Sequence, residues 1–149
     1  MDALTPLRDL AFMQALLDLV IPPSADGRFP GAGSLGIASA VAGQLEADAM
    51  LALPVQAGLQ AVREASLARD PAGLPGLSLQ ARVEMLEAQL GAHPLLILGL
   101  ARHLYPAYYQ HPRVLEALGE PPRPPFPDGY DLEATDPLLL EKLRTRQRT

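Results

Sequence analysis

Cysteine is absent from the 149 residues. That excludes disulfides, thiolate zinc sites and cysteine nucleophiles together. Charge is sparse: only 19% of the chain is Asp, Glu, Lys or Arg, and the formal net charge is -5. No basic stripe of the kind that tracks a phosphate backbone runs through the body of the chain. The four cations of the C-terminus, Lys142, Arg144, Arg146 and Arg148, read as a solvated helix end. No run approaches the ~18 uninterrupted apolar residues of a membrane span; the most apolar stretch, Leu95 to Leu100, is far shorter. The first ten residues carry Asp2, Arg8 and Asp9 and hold neither a basic n-region with an apolar core nor a twin-arginine pair. The expectation for the chain as read is a cytoplasmic protein, or a periplasmic one if it is exported with a partner or a signal has been removed. No alternating strand pattern and no repeat at a solenoid period occurs.

What is there is apolar material at helical spacing. Hydrophobic residues make up 48% of the chain, enough for one domain with one core. Thr5-Pro6 predicts a cap and first position, followed by Phe12, Leu16, Leu19 and Val20 on one face, with Asp9 and Asp18 toward solvent. Pro22 and Pro23 stop that helix. Ser34 predicts the cap of a second helix over about Leu35 to Leu53, and Pro54 opens or kinks a third, roughly Val55 to Ala68. Asp70 to Leu77 reads as a loop. Ser78 predicts a fourth helix to Leu90, with Leu79, Val83, Leu86 and Leu90 as its stripe and a left-handed Gly91 as its end. His93-Pro94 opens a fifth helix through about Tyr105, apolar on nearly every side and so expected to be buried. Pro106 bends or ends it. A short turn over Val114, Leu115 and Leu118 closes at Gly119. Five prolines between Pro121 and Pro127 predict a stiff arm over residues 120–130, and Asp136-Pro137 begins a last helix to about Arg146. The fold class is therefore all-α: a single-domain bundle of five to seven helices with a proline-rich C-terminal arm.

Chemistry-bearing patterns are few. Gly31 to Gly36 spells G-x-G-x-x-G but follows a proline-rich loop rather than a strand, so the glycines read as turn residues, not a dinucleotide fingerprint. His93 and His111 each precede a proline at a helix start, where bonding to backbone is the expected role. His103 lies near Tyr105, Tyr108 and Tyr109 in sequence, yet no carboxylate between Ala92 and Arg113 can orient it. No metal-ligand spacing, nucleophile elbow or Walker loop occurs. The seven aromatic residues say more, because five of them fall between Tyr105 and Tyr130. Tyrosine joins an apolar ring to a polar tip. These rings either pin the proline arm or receive a partner.

Two segments carry a resemblance. Leu19 to Ala38, LVIPPSADGRFPGAGSLGIA, resembles the opening of gluconate 2-dehydrogenase subunit 3 family proteins: a helix ending in I-P, a short loop, then P-G-A and a Gly-containing helix start. Tyr108 to Tyr130, YYQHPRVLEALGEPPRPPFPDGY, resembles that family's later signature, with its tyrosine, H-P pair, L-G step and proline run ending in G-Y. Order and spacing agree, while Ala47 to Gly91 is similar only as generic helix.

The resemblance implies a small helical subunit without catalytic, cofactor or metal residues of its own. It would bind and stabilise a large FAD-dependent sugar or alcohol dehydrogenase of the glucose-methanol-choline type, often with a cytochrome c subunit. FAD and the catalytic groups are expected on the large chain. Many family members carry a twin-arginine signal and escort the large chain across the membrane; this sequence departs from them there. Phe29, Tyr108, Tyr109, Phe126 and Tyr130 are the expected partner-binding or arm-anchoring residues. Two other readings stay open. One is a free-standing cytoplasmic helical protein, a homodimer or regulator. The other is an enzyme using His103, a nearby tyrosine and a carboxylate from elsewhere in the chain, which would need a deep pocket holding them.

Overall fold

The structure, a computed structural model, describes residues 5–123, 129, 134 and 136–146. Among the described residues it is all-α, with seven α-helices, three short 3-10 turns and no strand. The helices are α1 (Leu10–Val20), α2 (Ala38–Ala47), α3 (Ala52–Arg69), α4 (Leu79–Leu90), α5 (Leu95–Tyr109), α6 (Pro112–Leu118) and α7 (Pro137–Arg146).

Thr5-Pro6 starts a 3-10 turn over Pro6–Arg8 rather than α1 itself. Asp9, expected toward solvent, is the N-cap of α1: its carboxylate accepts the Phe12 N–H at 3.1 Å, satisfying a donor that the helix cannot. Its other oxygen lies 3.6 Å from Arg63 Nε, linking the start of α1 to α3. Asp18 is not purely solvent-facing either. It accepts the Gly33 N–H at 2.8 Å and fastens the 3-10 turn Ala32–Leu35 to α1. A side chain at Gly33 would strike the Gln14 carbonyl oxygen, and one at Gly31 would strike Asp18. These glycines permit close packing against a helix, as their turn-residue reading requires.

The expected second helix, Leu35 to Leu53, is interrupted twice. Gly36 takes φ +73, and the Ser34 hydroxyl donates back to the Gly31 carbonyl instead of capping, so α2 begins only at Ala38. At the other end Asp48 stops α2 at Ala47. α3 then begins at Ala52, with Pro54 in its first turn, where a proline nitrogen forfeits no intrahelical bond. Ser78 caps α4 as expected, through the Ala81 N–H. Gly91 does not adopt a left-handed conformation; its φ is -64. Leu79 and Val83 of the expected α4 stripe are exposed, and Met85 and Leu86 carry the burial. Pro106 lies inside α5, which continues to Tyr109.

The core forms where α3 and α5 cross. α3 contributes Val55, Leu59 and Val62, and α5 contributes Leu96, Leu100 and Leu104, all fully buried. The two helices approach closely because each presents a glycine to the other. A Cβ on Gly58 would lie 3.1 Å from Leu96 Cβ, and one on Gly99 would strike Val55. Phe12, Met13, Leu16 and Leu17 of α1 and Val41 and Leu45 of α2 belong to the same cluster. α5 is not buried on all sides. Leu96, Gly99, Leu100, Leu104 and Tyr108 face inward, while Leu95, Leu98, Tyr105 and Tyr109 are exposed.

Candidate docking surface

The turn between α2 and α3 is built on one carboxylate. Asp48 Oδ1 accepts the N–H groups of Met50 and Leu51, each at 3.0 Å, and the Asp48 carbonyl accepts Ala52 N–H at 2.9 Å. This is the local bonding that makes Asp favourable at a helix start. The other oxygen, Oδ2, faces α5, 3.0 Å from His103 Nε2 and 3.6 Å from Arg102 Nε. The Asp48 and His103 side chains are only 11% and 16% exposed. The Leu51 N–H, with help from His103, holds the Asp48 carboxyl below the ordinary carboxylate range, against the opposing effect of partial burial.

With Leu51 folded inward, the tight turn directs Met50 out to 82% exposure. It stands over the outer face of α5. Met50, Leu51, Leu98, Ala101, Arg102 and Tyr105 line an open groove of about 580 Å³. Leu98 is 62% exposed there. The lining is apolar except for the Arg102 guanidinium and the Tyr105 hydroxyl. Tyr109 continues the surface by one turn, its ring edge-on to Tyr105 with centroids 6.4 Å apart.

Tyr108 has a different position. It is buried, and its hydroxyl donates to the Pro30 carbonyl at 2.8 Å. Burial, and secondarily the neighbouring Tyr109, raises its pKa above the ordinary phenol value, so the proton it donates is firmly held. It pins the loop between α1 and α2 rather than any residue of the proline arm that is described. Arg28 adds a second clasp: its Nε donates to the Ala117 carbonyl at 2.7 Å, and its guanidinium lies 5.3 Å above the half-buried Phe29 ring. The segment 19–38 and the start of the segment 108–130, nearly eighty residues apart in sequence, are thereby fastened to each other. Asp26 organises that loop, accepting from the Ser24 hydroxyl at 2.6 Å and the Arg28 N–H at 3.0 Å.

Of the residues expected to contact a partner or anchor the arm, Tyr109 is exposed beside the groove, Tyr108 is a buried clasp, and Phe29 sits in the clasped loop. Phe126 and Tyr130, with most of the proline arm, lie outside the described residues. Sequence reasoning missed Met50 and Leu98. The available signal for Met50 was Asp48 two residues before it, which starts a turn whose next side chain must project. For Leu98 it was the second apolar face of α5.

His111 takes the expected role, its Nδ1 accepting the Arg113 N–H at 3.3 Å at the start of α6. The carboxylate that could orient His103 does exist, as Asp48 from the far side of the α2–α3 turn. One of its oxygens is committed to backbone N–H groups, and the pair joins α5 to that turn. The groove holds Tyr105 but its lining does not include His103. Among the described residues no group of three His, Asp or Glu side chains is placed to hold a metal ion, and no helix is long and apolar enough to cross a membrane.

Comparison of the chain with protein-family models, with characterised proteins and with solved structures gives no match.

Proposed function

We propose that this chain is a non-catalytic small subunit that docks onto, and stabilises, a large FAD-dependent sugar or alcohol dehydrogenase. The observation that carries the docking role is the groove. Methionine, leucine and tyrosine stand in water on a surface where the Asp48–His103 contact ties the α2–α3 turn to α5. Contiguous exposed apolar surface marks interaction sites in folded proteins, and aromatic anchors on preformed elements lose little entropy when they bind. Arg102 and the Tyr105 hydroxyl supply polar groups at the edge, the arrangement expected of an apolar interface centre with a hydrogen-bonding rim.

The kind of partner is inferred from the two segments that resemble gluconate 2-dehydrogenase subunit 3 proteins. Their clasp, Tyr108 to Pro30 and Arg28 to Ala117, gives both segments one shared structural role, which is to hold the long α1–α2 loop against α5 and α6. On this reading FAD and the groups that oxidise the substrate belong to the large chain, with a cytochrome c subunit as a third component where electrons leave the complex.

Affinity capture of the whole chain from its native cells tests the proposal. The expected result is a yellow complex containing a large dehydrogenase chain, identified by mass spectrometry and by flavin absorbance. A colourless chain recovered alone from soluble and membrane fractions would contradict it and favour a free-standing helical protein.

A further inference from the structure

Peroxides oxidise the sulfur of cysteine and methionine, and accessibility decides which residue reacts. This chain has no cysteine, so its thioethers are the sulfur available. Of its four methionines, Met13 and Met85 are 0% and 2% exposed, whereas Met50 is 82% exposed. Met1 lies outside the described residues. The turn that presents Met50 is bonded to one oxygen, Asp48 Oδ1, which accepts both the Met50 and the Leu51 N–H at 3.0 Å. Met50 lines the groove together with Leu98, Ala101 and Tyr105.

We infer that Met50 is an oxidation site, and that its sulfoxide turns the groove from an apolar surface into a polar one. In the reaction the sulfur lone pair attacks one oxygen of hydrogen peroxide. The S–O bond forms, the O–O bond breaks, and the second oxygen leaves as water after a proton shift. The thioether is oxidised by two electrons and the peroxide is reduced by two. The product is a strong acceptor where a soft apolar group stood. Met50 is not part of the buried cluster, so the fold is left intact. A partner that covered the groove would instead have to strip water from the new oxygen or supply a donor to it. Oxidation therefore releases the docked chain, and reductive repair restores docking. That consequence rests on the proposed function; the site and the change in the groove do not.

The test begins with the purified full chain in hydrogen peroxide, sampled over time by mass spectrometry. Trypsin places the methionines on separate peptides, Met1 in 1–8, Met13 in 9–28, Met50 in 29–63 and Met85 in 83–102. Met50 is expected to gain oxygen at least about ten times faster than Met13 or Met85. Equal rates would overturn the site. Retention on a phenyl column reads the groove without a partner. Oxidised wild type is expected to elute earlier, with an unchanged circular dichroism spectrum. Methionine sulfoxide reductases of both stereospecificities should restore its retention, and Met50→Leu should elute at its own position before and after peroxide. An equal shift in Met50→Leu would assign the change to another residue and overturn the inference. In capture from native cells, oxidised wild type is expected to hold at most about a tenth of the flavoprotein held by the reduced chain. Equal recovery would overturn the release while leaving the proposed function standing. Recovery of no flavoprotein by either form would overturn the proposed function and the release with it, and the peptide rates and column retention would still decide the site.

Discussion

Both faces of α5 carry large apolar side chains, the outer one with Arg102 among them, and they differ in what they touch. Leu96, Leu100 and Leu104 on the inner face lie in one buried cluster with Val55 and Leu59 of α3, and Gly99 admits Val55 where any side chain would clash. Leu95, Leu98, Tyr105 and Tyr109 on the outer face meet water. A helix that is apolar all round is usually read as central to a core. Here one face specifies the fold, and the other lies bare beside a turn that is itself cross-linked to α5 through Asp48 and His103. Apolar residues on two faces of a helix therefore need not all be core, and periodicity alone does not tell the packed face from the exposed one.

Truncating one leucine on each face should separate the two most strongly. Leu100→Ala is expected to cost about 2–5 kcal/mol, the usual range for a leucine removed from a packed core, whereas Leu98→Ala should stay within about 0.5 kcal/mol. Urea unfolding of the two variants measures both, and similar losses would mean that the faces are not distinct. Gly99→Leu probes the inner face from the opposite direction. Overpacking against Val55 is expected to destabilise by about 1–3 kcal/mol, visible as a lower urea midpoint. A smaller effect, about 1 kcal/mol, is expected for Tyr108→Phe, which removes the hydroxyl from the Pro30 carbonyl but keeps the ring. Thermal unfolding that left this variant unchanged would show that the clasp adds nothing to stability.

The Asp48 contact should add an acid dependence. Its carboxyl is held below its ordinary value of 3.8 in the folded chain. The unfolded carboxylate therefore takes up its proton first as pH falls. The stabilisation is complete above about pH 4, near the ordinary pKa of the group, and is lost as pH drops toward the folded value. Asp48→Asn should lower the urea midpoint at neutral pH and flatten its dependence below that point. A variant with the same acid slope as wild type would place the sensitivity elsewhere.

Much of the architecture was legible in sequence because it depends on local chemistry. Ser78 before α4, His111-Pro112 before α6 and Gly119 after it, and Asp136-Pro137 before α7 are signals whose hydrogen bonds form within a few residues. The second helix was misjudged because its limits depend on non-local contacts. Gly36 turns left-handed where the preceding 3-10 turn lies against α1, and Asp48 ends α2 with one oxygen in its own turn and the other on α5. The same kind of contact explains the histidine. No carboxylate lies near His103 in sequence, and the one that meets it is fifty-five residues away. At the candidate site the tyrosine cluster was legible, but its division was not: Tyr108 turns inward to Pro30 while Tyr105 and Tyr109 stay outside, a consequence of helical phase relative to a loop far off in sequence.

If the outer face of α5 docks a flavin dehydrogenase, a single charge placed on that face should release it. Parallel capture with wild-type chain and Leu98→Glu from the same native cells measures this. Wild type is expected to retain the yellow large chain, and the variant, equally folded by circular dichroism, at most about a tenth as much. Equal recovery of flavoprotein by both would contradict the assignment of this face.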